Sequence, residues 1–321
     1  MAKKIDFLSV LQWSDDQCRE FLEAGRWPEG PVCPKCGAEN PYRIERRSKT
    51  KNIVKSLYRC RACRKDYTAT VGTIFEDSKI PLQKWFAAIY LMASSKKGMS
   101  AHQLHRSLGI TYKSAWFMCH RIREAMRDKS FPLLTGVVEA DETYVGGKPR
   151  GHRLHRSAKM DMSARIKAAY DKKTPVFGMK ERGGRVRAQV IPHVSQDAVE
   201  RAIFHGVDRE NTRLMSDEHP AYFHIGKMLP HDVIRHKSEY VRGDIHTQGI
   251  ESYWSILKRG FYGTFHHVDA AYLGMYLPEF EFRYNRREIT DAERFASLVG
   301  QVSGKRLTWF CETEQPENPY A

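Results

Sequence analysis

The sequence predicts a multidomain α+β protein: an N-terminal zinc ribbon, a helix-turn-helix behind it, and a larger unit of mixed strands and helices. Three observations carry that prediction. Four of the seven cysteines fall in two close pairs, Cys33/Cys36 and Cys60/Cys63. Between residues 81 and 126 apolar residues recur at helical spacing on either side of a glycine. From about residue 134, short alternating runs succeed one another with a capped amphipathic segment among them. A chain of 321 residues also suits two or three units better than one core.

The ribbon is expected over residues 1–78. Each cysteine pair is Cys-x-x-Cys, and 23 residues separate the pairs, a spacing close to that of a four-cysteine zinc site. In "CPKCG", Pro34 and Gly37 shape the tight turn that aims two sulfurs at one Zn²⁺. Little apolar material lies in this stretch, so the metal is expected to supply its folding energy. Cys18, Cys119 and Cys311 stand alone; an odd, partly clustered set favours metal over disulfides.

Residues 79–130 follow as the helix-turn-helix. Trp85, Ile89 and Met92 share one helical face, as do Trp116, Cys119 and Ile122 further on, which makes Cys119 a core residue. Ser100 can cap a short helix containing His102 and Leu108; Gly109 breaks it, and Thr111 can cap a longer one. That second helix offers Tyr112, Lys113, Ser114 and Arg121 near its exposed side as candidate DNA contacts.

The third unit is expected over 131–295, with a polar tail at 296–321. It opens on "LLTGVVEADETYVGG", a strand that carries Glu139, Asp141 and Glu142. The basic stretch 148–173, with Arg150, Arg153 and Arg156, reads as an arm for phosphate contacts. A hairpin turning at Gly183-Gly184 comes next, then the capped helix "SQDAVERAIFHGV" and the strand "RLMSDEHP". "DVIRHKSEYVRG" is strand-like, "HTQGIESYWSILKRGFYG" is helical, and "DAAYLGMYLPEFEFRYNRR" is a helix that Pro278 is expected to kink.

Charge narrows the function. Lys and Arg number 53 against 38 acids, a net charge of +15, and the pI is about 9.5. Such a surface points first to nucleic acid and second to an anionic membrane. No apolar run approaches the roughly 20 residues needed to span a bilayer, and no secretory signal opens the chain. A basic soluble protein of a reducing, cytoplasmic compartment is expected.

Three acids in a buried strand are costly unless a cation or hydrogen bonds compensate them. Asp141 lies mid-strand, Asp217 at a strand end, and Glu251 near the start of a helix. Carboxylates on two neighbouring strands and one facing helix can converge on a point, where they would repel and raise one another's pKa values. Around two Mg²⁺ (or Mn²⁺) ions they become hard oxygen ligands for an in-line phosphoryl displacement. Lys258 lies seven residues after Glu251 on the same face and can grip a phosphate, with Arg259 beside it. Alternatives stay open: Glu218 can replace Asp217, and Asp244 can be a loop acid. Strand alternation puts Asp141 and Glu142 on opposite faces, one of them facing solvent.

The segments "VVEADETYVGG", "VFGMKERGGRVRAQVI", "LMSDEHPAY", "HTQGIESYWSILKRGFYGTFHHV" and "LPEFEFRYNRR" resemble the signatures of DDE transposases from bacterial insertion sequences, in the ISXO-like group with an N-terminal zinc ribbon. The resemblance runs from Cys33 to about Arg287. It implies a ribonuclease-H-like catalytic domain, Mg²⁺-dependent phosphoryl transfer, and binding to the element's terminal inverted repeats and to target DNA in a bacterial, nucleoid-associated setting. By position it makes Asp141, Asp217 and Glu251 the catalytic acids and Lys258 the accompanying basic residue. One departure is visible: Gln248 stands where the family usually has Asn, three positions before the last acid. Work on two DNA ends implies at least a homodimer. The rival expectations are a DNA-binding regulator that has lost catalysis and a nuclease that cuts without joining.

Overall fold

The computed structural model describes residues 5–47, 54–128, 130–146, 173–235 and 239–308. Most of the basic arm, with Arg150, Arg153 and Arg156, lies outside the described residues, as does Cys311. The chain forms two compact units: Met1–Arg127 with Arg286–Trp309, and Asp128–Asn285.

The first unit opens with two helices absent from the sequence-based expectation, α1 (Phe7–Leu11) and α2 (Asp15–Arg26). Both carry full capping boxes, from Asp6 with Ser9 and from Ser14 with Gln17. The ribbon sheet follows as β1 (Tyr42–Arg47), β2 (Val54–Arg59) and β3 (Asp66–Tyr67), all antiparallel. Helix α3 (Leu82–Ser94) buries Trp85, Ile89 and Met92, the face read from their spacing. Helices α4 (Ala101–Leu108) and α5 (Tyr112–Met126) start at the caps Ser100 and Thr111. Gly109 ends α4 at φ +58, a left-handed conformation that glycine adopts without penalty.

In the second unit a five-stranded sheet runs in the order β6-β5-β4-β7-β8. Its strands are β4 (Leu134–Val145), β5 (Thr174–Glu181), β6 (Val186–Val190), β7 (Val207–Ser216) and β8 (His231–Val233). The hairpin β5–β6 turns at Gly183, φ +72, and pairs antiparallel with β4. The helix α6 (Gln196–Gly206), capped by Ser195, carries the chain across to β7, which runs parallel to β4. Helices α7 (Gln248–Gly260) and α8 (Ala270–Asn285) follow. Helix α8 runs through Pro278, which lies inside it. Alternation along β4 divides the core. Val138 and Ala140 pack with Val199 and Ile203 of α6, while Val176 and Val186 of the hairpin pack with Ile250, Trp254 and Leu257 of α7 and Leu277 of α8.

One difference from expectation concerns the C-terminal residues. Helix α9 (Asp291–Gly300), capped by Thr290 with Glu293, groups with the first unit, whereas the sequence reading divided these residues between the third unit and a polar tail. Phe295 is fully buried and packs on Phe21, Phe86 and Trp13, which holds the helix there. Burial of a side chain that size is worth about 1.5–3 kcal/mol, and no local pattern reveals which distant segment receives it.

Gly178 faces Asp141 across the β4–β5 ladder. A Cβ there would lie 2.4 Å from the Trp254 ring, so only glycine lets α7 approach the sheet this closely. We expect Gly178→Ala to destabilise the second unit by about 1–3 kcal/mol through overpacking. An unchanged thermal midpoint for that unit would show that α7 does not depend on this close approach.

Candidate active site and metal centres

The parallel pair β4 and β7 stays in register as far as Glu139 opposite Met215. Two residues further along each strand, the same register brings Asp141 level with Asp217. Strand β7 has by then ended at Ser216, while β4 continues to Val145. The edge of β4 is therefore open on that side at the carboxyl ends of two parallel strands, the place where α/β sheets offer a crevice. One carboxylate oxygen each of Asp141, Glu142 and Asp217 lies there, all within 4.8 Å of one another. The His219 N–H donates to Asp217 Oδ1 at 3.0 Å, in an Asx-type turn that orients the carboxylate.

Helix α7 supplies the opposite wall. Glu251, Trp254, Ser255 and Lys258 line a cavity of about 210 Å³ together with Asp141, Glu142 and Thr143. The indole N–H of Trp254 donates to Asp141 Oδ2 at 2.9 Å. Glu251 is exposed in the cavity wall and stands outside the tight cluster, and its Oε1 accepts from the Thr247 hydroxyl at 2.9 Å. The four residues expected from the sequence are thus brought to one place, with Asp141 and Asp217 in the cluster and Glu251 and Lys258 on the facing helix.

Glu142 refines an expectation. Asp141 and Glu142 are both half-buried and line the same cavity, and the buried Tyr222 lies against the Glu142 carboxyl. Glu142 Oε1 is buried without a hydrogen-bond partner among the described residues. Burial pushes the Glu142 carboxyl up to about 8, with the Asp217 and Asp141 charges adding to the rise. Burial likewise raises Asp141 to about 7, helped by Asp217 and Glu251. Three crowded, half-buried carboxylates are the hard oxygen donors that fit a divalent cation, whose charge would reverse both shifts. Glu142 was not recognisable as a partner because its access to Asp217 depends on β7 stopping short of β4. Gly178 did carry a signal, being a lone glycine inside a strand pattern.

The expected DNA contacts divide. Tyr112 and Lys113 are exposed at the start of α5, and His102 of α4 stacks on Tyr112 with ring centroids 4.2 Å apart. Ser114 is half-buried, and both its N–H and its side chain engage the Thr111 cap. Arg121 does not lie on the exposed side: it is 5% exposed, its Nε donates to the Leu307 carbonyl, and its guanidinium covers Phe117. A segment nearly two hundred residues away claims that side chain, which helical spacing alone does not disclose. Arg259 is exposed on α7 and donates to Ser255 O of its own helix at 3.1 Å.

In the ribbon, one sulfur from each of Cys33, Cys36, Cys60 and Cys63 lies within 4.8 Å of the others. The Cys33–Cys63 and Cys36–Cys60 sulfurs are 3.7 and 3.5 Å apart. A tetrahedral zinc with Zn–S bonds of about 2.3 Å places its sulfurs about 3.8 Å apart, so the four cysteines fit the ion. Both knuckles turn alike: Gly37 N–H donates to Cys33 O and Arg64 N–H to Cys60 O, with Gly37 and Arg64 both at positive φ.

Comparison with known proteins places these features in a family. Residues 133–285 match the ISXO2-like transposase domain, and residues 13–66 match the transposase zinc-ribbon domain. The two regions together take up more than half of the chain. A curated relative from Halobacterium salinarum, "Uncharacterized protein in transposable element ISH50", is 28% identical over 256 residues, covering 77% of this chain and 83% of its own. A solved simian T-cell lymphotropic virus intasome, in complex with a PP2A regulatory subunit, aligns over 68% of this chain and 76% of its own; at a TM-score of 0.26 and 14% identity the likeness carries no argument. No helix among the described residues is long and apolar enough to cross a membrane.

Two outcomes test the centres. Asp141 and Glu142 have folded pKa values raised from 3.8 to about 7 and from 4.5 to about 8. Folding therefore favours their protonated forms, and that stabilisation is complete below about pH 4 and lost as pH rises through 7 to 8. In chelator, the thermal midpoint of the second unit should fall across this window, less so in Asp141→Asn, and Mg²⁺ should restore it; parallel curves for the two proteins would reject the cluster. In the ribbon, Cys36→Ser should release zinc, since structural zinc contributes about 10–16 kcal/mol of binding free energy to such modules. Native mass spectrometry showing one zinc in both proteins would overturn the assignment.

Proposed function

We propose that this chain, which belongs to the ISXO2-like insertion-sequence transposases, is an active DNA transposase that binds the terminal inverted repeats of its element and carries out metal-dependent strand cleavage and transfer. One observation carries the reading. Asp141, Glu142 and Asp217 converge at the open end of a parallel strand pair, and Glu251 and Lys258 line the same cavity, all within the transposase-matched region. A regulator that had lost catalysis would have no use for crowded carboxylates, which cost stability when unpaired.

The sheet, with a hairpin on one side of β4 and a parallel crossover on the other, supports the ribonuclease-H-like reading. Asp141, Glu142 and Asp217 would hold one Mg²⁺ or Mn²⁺, and Glu251 from the facing helix would complete a second position. Divalent ions held there would supply activation of an attacking oxygen and stabilisation of the leaving oxygen of a phosphodiester. The protein's own groups do the rest. Trp254 holds Asp141 through its indole N–H, Thr247 holds Glu251, and Lys258 offers a cation to the DNA backbone at the cavity mouth. Gln248 opens the helix in place of the family's usual Asn.

The helix–glycine-turn–helix of α4 and α5 would present Tyr112 and Lys113 to a major groove, and the ribbon would add phosphate contacts. Arg150, Arg153 and Arg156 of the basic arm would neutralise backbone phosphates, which makes affinity fall steeply with salt. Joining two ends calls for at least two copies of the chain.

The test uses purified protein, Mg²⁺ and labelled DNA carrying the gene's own flanks. Asp217→Asn should slow cleavage at the element boundary by about 10³-fold, because a bound ion is worth several kcal/mol and 1.36 kcal/mol is tenfold in rate. End binding should persist. Binding without cleavage in both proteins would favour the regulator, and cleavage without joined products would favour a nuclease.

A further inference from the structure

Glu139 is the first acid of the strand "VEADETYV" and stands outside the Asp141–Glu142–Asp217 cluster. It is 1% exposed and lies on the same face of β4 as Asp141. Its two oxygens have separate partners. Oε1 accepts from Arg182 Nη2 at 3.1 Å and Nε at 3.3 Å, and His246 Nδ1 lies 3.5 Å from the same oxygen. Oε2 accepts from the backbone N–H of Ile250 at 2.9 Å.

That second bond fills the place of a helix cap. Helix α7 begins at Gln248, so Ile250 is its third residue, whose N–H has no intrahelical acceptor. Ordinarily the N-cap side chain accepts it, yet Thr247 makes no such bond. The Thr247 hydroxyl donates to Glu251 instead. A carboxylate from the central strand thus caps the helix, at the end where the helix dipole favours negative charge. Thr247 is thereby released to hold the acid that faces the cluster.

Two further features support the arrangement. Gly249 leaves room for the carboxylate: a Cβ there would lie 2.6 Å from Glu139 Oε2 and 2.9 Å from Lys180 Nζ. Arg182, from the β5–β6 turn, also donates to the carbonyls of Asp244 at 2.7 Å and His246 at 3.2 Å, which fixes the segment leading into α7. One buried carboxylate therefore ties together the strand that bears Asp141, the hairpin turn and the start of the helix that bears Glu251.

We infer that Glu139, with Arg182 and Gly249, is a positioning element that sets the distance between the Asp141 cluster and Glu251, and so determines how tightly the facing acids hold their cations. The inference rests on the metal-binding reading of that cluster. Both oxygens of Glu139 are engaged by the protein's own donors, Arg182 and the Ile250 N–H.

The full, zinc-loaded chain is titrated with Mn²⁺ and free ion is followed by electron paramagnetic resonance, for the parent, Gly249→Ala, Glu139→Gln and Asp141→Asn. Gly249→Ala changes no charge, so a loss of affinity there reports position. Outer groups that orient metal ligands typically contribute about 10–100-fold in affinity, and a loss of that size is expected in Gly249→Ala, with zinc content and circular dichroism retained. Glu139→Gln should lose at least as much, because an amide can accept from only one of the two donors. Mn²⁺ affinity in Gly249→Ala within threefold of the parent would overturn the inference. If either variant fails to fold, amide exchange of the parent decides: the Ile250 N–H should exchange far more slowly than that of Gly249, and equal rates would overturn the cap. If the parent and Asp141→Asn bind Mn²⁺ alike, the metal reading of the cluster fails, and the exchange result alone judges the cap.

Discussion

The second unit depends on how closely one helix can be seated on the central strand pair. Helix α7 lies over β4 and β5 with Trp254 directly above Gly178, where no side chain intervenes. From that seat the indole reaches Asp141, while the first turn of the helix meets Glu139. Glu251, Ser255 and Lys258 then follow at helical intervals along the cavity wall. A side chain of ordinary size at 178 would lift the helix, and each of these contacts would lengthen together.

The same strand shows how one residue type acquires three roles within four positions. Glu139 is buried but compensated by Arg182 and a peptide N–H, so its charge is satisfied by the protein. Asp141 has the Trp254 indole as a donor and two other carboxylates nearby, so its charge is only part compensated. Glu142 lines the same cavity, against Tyr222, with one oxygen unsatisfied. Compensation falls along the strand as β4 runs past the end of β7, since the neighbouring strand no longer supplies cover. A buried charge with no internal partner is a site for an external one.

The first unit is held by different means. An aromatic group drawn from Trp13, Phe21, Phe86 and Phe295 joins segments from both ends of the chain, and in the ribbon Cys33, Cys60 and Cys63 pack with Trp27, Tyr58 and Tyr67. Lys305 and Arg121 add polar ties between the C-terminal segment and α5, through the carbonyls of Ala125 and Leu307.

The sequence by itself determined what depends on near neighbours. The Cys-x-x-Cys pairs, the caps Ser100, Thr111 and Ser195, the turn at Gly183 and the helical interval from Glu251 to Lys258 all follow from contacts within a few residues, and all appear in the fold. Asp141 and Asp217 were legible as well, because acids in strand contexts contradict their surroundings. Tertiary structure alone decided the rest. Whether Glu142 meets solvent or Asp217 is set by where β7 stops relative to β4. Whether Arg121 faces outward or binds Leu307, and which unit receives Phe295, is set by segments nearly two hundred residues or more away in the chain. Whether Glu139 is a surface acid or a helix cap depends on a helix more than a hundred residues downstream. Local patterns record the preferences of a side chain's neighbours in sequence, whereas burial and compensation of charge belong to its neighbours in space.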